Sequence, residues 1–353
     1  MSVLSEHDSK KIRFLGFVGA LLVMTVHAYN LNIYKVDPRG GIFSAIVWFL
    51  EKFISHGLAM VAVPLFFLFS SFLFFYHVKP TKQWFAMKYK KRFHSLVIPY
   101  VFWNAVGYLI FLLPLFVPPL RGVYGSYIHE ITVPDLLSAL LLHKYNVVFW
   151  FIQNLLLFVI FSPAVYFVLK NRKIGAAVTG VFLLCWILGL PSIPVVEFSF
   201  TCGAYCTLGA YTAIHYDFFQ EKKVKKLTSS QTFLVVGLWF AMIVLAMHLN
   251  SKVFSQLTAM VGIAAVWFFC DLYIDRIPEK DFFGESFMIY ALHPFLLESL
   301  ERVILRIFGR SPAMALLDYV AAPCIILGLI YLIVTVLRKF LPGFYRVISG
   351  GRA

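Results

Sequence analysis

The sequence predicts an all-α, polytopic integral membrane protein of about ten transmembrane helices, with both termini cytoplasmic. Three observations predict it. Of the 353 residues, 61% are hydrophobic and only 14% charged, against roughly 45–50% and about 25% in an average soluble domain. The 38 Phe and 18 Tyr are more aromatic surface than one soluble core of this size hides. The apolar residues also gather into runs near the ~20 residues that a helix needs to cross the hydrocarbon. A soluble globule, a disordered tail protein and a disulfide scaffold are thereby excluded.

The runs lie at 13–34, 55–77, 94–117, 148–170, 174–191, 194–215, 230–249, 253–274, 284–308 and 316–340. The first is too long for a cleavable signal peptide and lacks a small-residue cleavage site. Between the first two, residues 35–54 carry GIFSAIVWFL, which is too short to span and is placed at the interface. The longest outer connection, 118–147, contains Val133-Pro134-Asp135 followed by LLSALLLH, which predicts a short re-entrant helix with proline near its start. Leu190-Pro191-Ser192-Ile193-Pro194 separates the fifth and sixth runs. Its two prolines remove donors and disfavour helix before each, which predicts a tight hairpin. No internal repeat and no separate soluble domain is visible, so residues 1–353 read as one transmembrane domain with a cytoplasmic tail at 1–12.

The net charge is +14, carried in short clusters between apolar runs. A nucleic-acid binder gathers Lys and Arg on one soluble face, so nucleic acid is not an expected partner. With the N-terminus inside, the ten-span arrangement puts 22 of the 31 Lys and Arg on the inner side and 9 on the outer side. That bias supports both the orientation and the even number of spans. The five cysteines (Cys185, Cys202, Cys206, Cys270, Cys324) are an odd number inside apolar stretches. Cys202 and Cys206 share a helix face without further ligands nearby, so all five read as packing residues and no metal is expected.

An ionisable residue at membrane depth is costly, and it is a functional hypothesis by default. Of the ten histidines, only His27 and His293 fall within the hydrocarbon, at similar depth in the first and ninth runs. One reading makes each a buried hydrogen-bonding residue that ties helices together. The other makes His27 a base or nucleophile, because imidazole titrates nearest neutral pH. Glu298 and Glu301, in the outer half of the ninth run, either orient a histidine or pair with Arg302 and Arg306. The cluster Lys88, Lys90, Lys91 and Arg92 leads into the third run. It reads either as a topogenic signal that meets anionic headgroups or as a phosphate site for a cytoplasmic anion such as coenzyme A.

Five segments in order, FLGFVGALLVMTVHAYN (14–30), VPLFFLFSSFLFF (63–75), KKRFHSLVIPYVFWN (90–104), FWFIQNLLLFVIFSP (149–163) and SFMIYALHPFLL (286–297), with the terminal ISGGR, extend these single-residue readings. Together they resemble the membrane-bound acyltransferase 3 family of cell-envelope modifying enzymes. The resemblance covers nearly the whole chain. Gly16 stands where the family usually has an arginine, and Arg13, almost one helical turn earlier, is the expected substitute at the inner surface. Ser71 replaces the glycine of the family's SG pair, which would tighten that helix contact.

The resemblance implies transfer of an acyl group, most often acetyl, from cytoplasmic acyl-CoA to a hydroxyl of an envelope sugar or polysaccharide at the outer face of a bacterial inner membrane. It implies that Lys88, Lys91, Arg92 and Arg13 hold coenzyme A. His27 would deprotonate the acceptor hydroxyl or carry the acyl group. His293 with Tyr290 would orient His27 or the thioester carbonyl, and Ser70, Trp150, Asn154 and Glu298 would line the path. The expected partners are membrane lipids, acyl-CoA, the sugar acceptor and a second copy of the chain. The competing class is an exporter or flippase of a polysaccharide or lipid-linked sugar, with the two histidines as a proton relay.

Overall fold

The computed structural model describes residues 4–118, 121, 128, 130–193, 197–221 and 227–351. Lys222, Lys223, Lys225, Lys226 and Arg352, five of the 22 cations counted on the inner side, lie outside the described residues, as do His129 and Pro194. The described residues form helices: α1 (Glu6–His27), α2 (Leu31–Tyr34), α3 (Ile42–Ser55) and, through a short 3-10 turn, α4 (Ala62–Phe75). Next come α5 (Lys82–Arg92), a π-helical turn at Phe93–Val97, α6 (Ile98–Phe116), α7 (Val133–Leu142), α8 (Trp150–Ile160) and α9 (Ser162–Leu169). The chain continues with α10 (Arg172–Ile187), α11 (Phe200–Ile214), α12 (Tyr216–Glu221), α13 (Ser229–Leu249) and α14 (Lys252–Tyr273). It ends with α15 (Ser286–Phe308), α16 (Pro312–Phe340) and α17 (Pro342–Ile348).

The all-α, multi-pass class is as the composition predicts; the count of ten is not confirmed. Among the described residues, six helical stretches are long and apolar enough to span. They are Glu6–Tyr34, Ile42–Phe75, Lys82–Phe116, Ser229–Leu249, Lys252–Arg276 and Pro312–Phe340. A seventh arises if the pair Val133–Leu142 and Val147–Ile160, bent by 54°, is one span. The shortfall has local causes. Ser199 caps α11 through its side-chain oxygen, so that helix begins at Phe200 and has 15 residues, while α10 ends at Ile187, ahead of Gly189 with its positive φ of 67°, and has 16. Pro163 follows a break at Phe161, so the fourth run becomes α8 and α9. α15 is 23 residues long but carries Glu298, Glu301, Arg302 and Arg306. The expected short helix with proline near its start is α7, capped by Thr132. The run at 35–54 is a 14-residue helix, α3. It belongs to the same long apolar stretch as α4 rather than standing alone as an interfacial segment. Between α10 and α11 the described residues hold a single antiparallel bridge, with Ile193 N–H on the Phe198 carbonyl at 2.9 Å.

The chain divides into two compact units. Unit 1 comprises Met1–Leu22, His56–Lys91 and Asn154–Phe283. In it α4 lies against α11, α10 against α11, and α13 against α14. The α4–α11 contact is close because Gly209 has no side chain: a Cβ there would lie 2.3 Å from the Leu68 carbonyl oxygen and 2.3 Å from Ser71 Oγ. Ser71 is buried and spends its hydroxyl on the Phe67 and Leu68 carbonyls at 3.0 and 3.1 Å. The obstacle is thus backbone and a fixed hydroxyl, neither of which swings aside. Gly209→Ala is expected to lower stability by at least about 1–3 kcal/mol, the usual cost of overpacking. A thermal melt in detergent reads this as a lowered Tm, and an unchanged Tm would mean that the two helices separate freely.

Unit 2 comprises Val23–Ser55, Arg92–Gln153 and Gly284–Ala353. α15 and α16 pack together, and α16 also meets α2, α3 and α17. The ISGG segment has a structural part: Gly350 and Gly351 take positive φ (68° and 70°), and a Cβ at Gly350 would lie 2.6 Å from the Ser95 carbonyl oxygen. Trp103 Nε1 donates to the Ile348 carbonyl at 3.0 Å, which docks α17 on α6. Buried Glu285 accepts from Tyr345 Oη and pairs with Arg338 at 2.7 Å. Burial, then the adjacent Glu285 carboxylate, pushes the Tyr345 phenol above the usual tyrosine range.

Candidate functional site

The two histidines singled out by depth meet in unit 2. His27 is the last residue of α1 and is exposed, whereas His293, in mid-α15, is 0% exposed. Their ring centroids lie 5.2 Å apart at an interplanar angle of 48°. His293 Nδ1 is 3.0 Å from the Ile289 carbonyl. A carbonyl only accepts, so Nδ1 carries the proton, and in the neutral ring Nε2 is left as a lone pair. That Nε2 is buried and has no protein partner. The arrangement is an accessible imidazole backed by a second whose tautomer is fixed by its own helix. Chemically, such a pair can accept a proton from a hydroxyl that approaches His27.

The neighbours of the pair have more structural duties than the sequence suggests. Tyr290 is buried, its ring 6.3 Å from His293 and stacked on Phe149 at 5.4 Å. Its hydroxyl donates to the Val148 carbonyl at 2.5 Å, so it fixes the turn that precedes α8. Trp150 opens α8, half-buried, in the same unit. Glu298 pairs with Arg302 at 2.5 Å on a half-exposed face, the pairing alternative rather than a histidine-orienting one. Asn154 and Ser70 belong to unit 1. Asn154 is a clamp: its Oδ1 accepts from Ser199 N–H at 2.7 Å, and its Nδ2 donates to the Glu197 carbonyl at 3.1 Å. Ser70 is half-buried on α4.

Lys88, Lys91 and Arg92 share one face of α5 at i, i+3 and i+4. Lys91 is exposed and Arg92 half-buried; Lys88 Nζ is 5.0 Å from the Trp84 ring centroid. Arg13 is exposed and donates to the Asp281 carbonyl at 3.3 Å. The buried cation of α1 is instead Lys11, which falls in the stretch read from sequence as a cytoplasmic tail. Lys11 is 0% exposed, pairs with Asp271 of α14, and lies 3.4 Å from the Trp267 ring centroid. His7 closes the cluster at 3.2 Å from Asp271 and 3.0 Å from Asp275. The overlooked signal is Asp271, an acid inside the run 253–274.

Unit 1 also holds a cavity of about 760 Å³, lined by Leu65, Phe72, Tyr205, Leu208, Met260 and Trp267 among others. Neither histidine lines it, and the histidine pair is the better candidate because it holds groups that can react.

A model of the acyltransferase 3 family, described as an acyltransferase domain, matches residues 11–338. No curated protein matches the chain, and no solved structure matches it.

Proposed function

The chain belongs to the acyltransferase 3 family and is a multi-pass membrane acyltransferase; from that premise we propose that it moves an acyl group, acetyl foremost, from cytoplasmic acyl-CoA to a hydroxyl of an envelope sugar or polysaccharide. The observation that carries this reading is His27, accessible at the end of α1 and backed by His293 at 5.2 Å. His27 takes the proton of the acceptor hydroxyl as its oxygen attacks the thioester carbonyl. The C–O bond forms, the C–S bond breaks, and the proton passes to the leaving thiolate. His293 holds His27 in register. Lys88, Lys91 and Arg92 supply a cationic face for coenzyme A phosphates, where Arg grips bidentately and Lys acts as a point charge. The setting is a bacterial inner membrane, with the acceptor at the outer face.

The test is donor binding by the full chain in lipid nanodiscs. Acetyl-CoA is expected to raise the Tm of the wild type, and Lys91→Gln with Arg92→Gln to weaken that stabilisation at least tenfold in acetyl-CoA concentration. Wild-type protein indifferent to acetyl-CoA and to longer acyl-CoA would overturn acyl-CoA as the donor. A double variant with unchanged response would remove α5 from the donor site.

A further inference from the structure

Unit 2 contains a second group of costly polar residues that acyl transfer does not use. Glu51 of α3, Asp318 of α16 and Glu301 of α15 are 0%, 1% and 7% exposed. Asn30, just before α2, is 0% exposed and bridges two of them. Its main-chain N–H donates to Glu51 Oε2 at 3.1 Å, and its Nδ2 lies 3.4 Å from Asp318 Oδ2 and 3.1 Å from the Ala315 carbonyl. Tyr34 Oη donates to Asp318 Oδ2 at 3.0 Å. Among the described residues, four acceptor atoms of this group remain buried with no hydrogen-bond partner: Glu51 Oε1, Asp318 Oδ1, Glu301 Oε1 and Asn30 Oδ1. Among the described residues none of these three carboxyls is in an ion pair within 4.0 Å. Arg302 is held by Glu298 at 2.5 Å, and Lys52 Nζ lies 5.8 and 5.9 Å from the Tyr29 and Trp48 ring centroids. The other polar group packed there, Tyr319 Oη, is bonded to Ser55 Oγ at 2.9 Å.

The donors that would satisfy these atoms must come from outside the described side chains. Among the described residues no three His, Cys, Asp or Glu side chains have the spacing to hold a metal ion. Isolated carboxylates in such a place would each cost several kcal/mol, and a carboxyl so placed neutralises instead. A protonated carboxyl also supplies the O–H that the orphaned Asn30 Oδ1 lacks, which an ionised one cannot. Glu301 lies near the end of α15 and Asp318 near the start of α16, so the packed α15–α16 hairpin sets the two at one level. We propose that Glu51, Asp318 and Asn30, with Glu301 beside them on α15, form a proton-binding site, holding at least one proton near neutral pH. Asn30 is three residues beyond His27, and its N–H is tied to Glu51. Loss of the proton sets like charges against each other around Asn30 and loosens the turn that follows His27. The sign follows from linkage: the folded state binds protons that the unfolded chain releases, so stability falls as pH rises through this site.

The full chain in nanodiscs is the sample, and the infrared carbonyl stretch of protonated carboxyls is the direct readout. Wild type is expected to show this band near neutral pH and to lose it in alkali. Glu301→Gln, at a carboxyl whose Oε1 has no partner among the described residues, should lower it, and adding Glu51→Gln and Asp318→Asn should remove it. In parallel, the wild-type Tm should fall from mildly acidic to alkaline pH, with Glu301→Gln flattening that slope. Should the triple variant not fold, Glu301→Gln alone decides. A wild type with no neutral-pH band, or a band and a Tm slope that Glu301→Gln leaves unchanged, overturns the site. Neither readout involves acyl transfer.

Discussion

Replacing His27 by alanine is expected to remove acyl transfer, by about 10²–10⁴-fold where only a general base is lost, and by more if the imidazole carries the acyl group. The fold should survive. His27 ends α1, is exposed, and its ring meets His293 across 5.2 Å, so truncation leaves neither a core cavity nor an unpaired charge. His293 is the poorer position for such a test, because its buried ring is bonded to Ile289 and its removal would mix packing with chemistry. The measurement is release of coenzyme A thiol by purified protein in nanodiscs with acceptor, alongside the Tm. Full turnover in a well-folded His27→Ala protein would remove His27 from the reaction. A loss of both turnover and Tm would make the residue structural.

The histidine pair was legible in the sequence because both partners are ionisable residues inside apolar runs, and depth alone put them at one level. What depth cannot give is the division of duties. That Tyr290 spends its hydroxyl on Val148, or that Asn154 clamps Ser199 and Glu197, depends on loops that hydropathy does not describe. The count of ten spans goes unconfirmed for a related reason. Hydropathy reports how far apolar composition extends, but Ser199 sets where α11 begins and the positive-φ Gly189 lies just past the end of α10, and both helices come out shorter than their runs. The acidic site escaped because its members are read one at a time. Glu51 sits in a run taken as interfacial and Asp318 near the start of the last run, and only the packing of α3, α15 and α16 brings them to Asn30.

Lys11 carries the largest stability effect expected of a single charge. Counted along the chain it belongs to a basic tail; in unit 1 it is buried between Asp271 and the face of Trp267. Lys11→Met keeps the apolar stem and the contact with the indole but strands Asp271, whose side chain keeps only 21% exposure. Breaking a buried pair from one side costs about 3–5 kcal/mol. The lower end is expected here, since Asp271 retains some solvent and His7 stands 3.2 Å away to share its charge. Asp271→Asn alone strands Lys11 in turn. The double variant removes both charges, and its loss should be well below the sum of the two single losses, because the main cost of each is the partner left behind. Equilibrium unfolding of the four proteins in one detergent closes the cycle. Additive losses would mean that Lys11 and Asp271 are each held by other groups, and that the pair does not join α1 to α14 electrostatically.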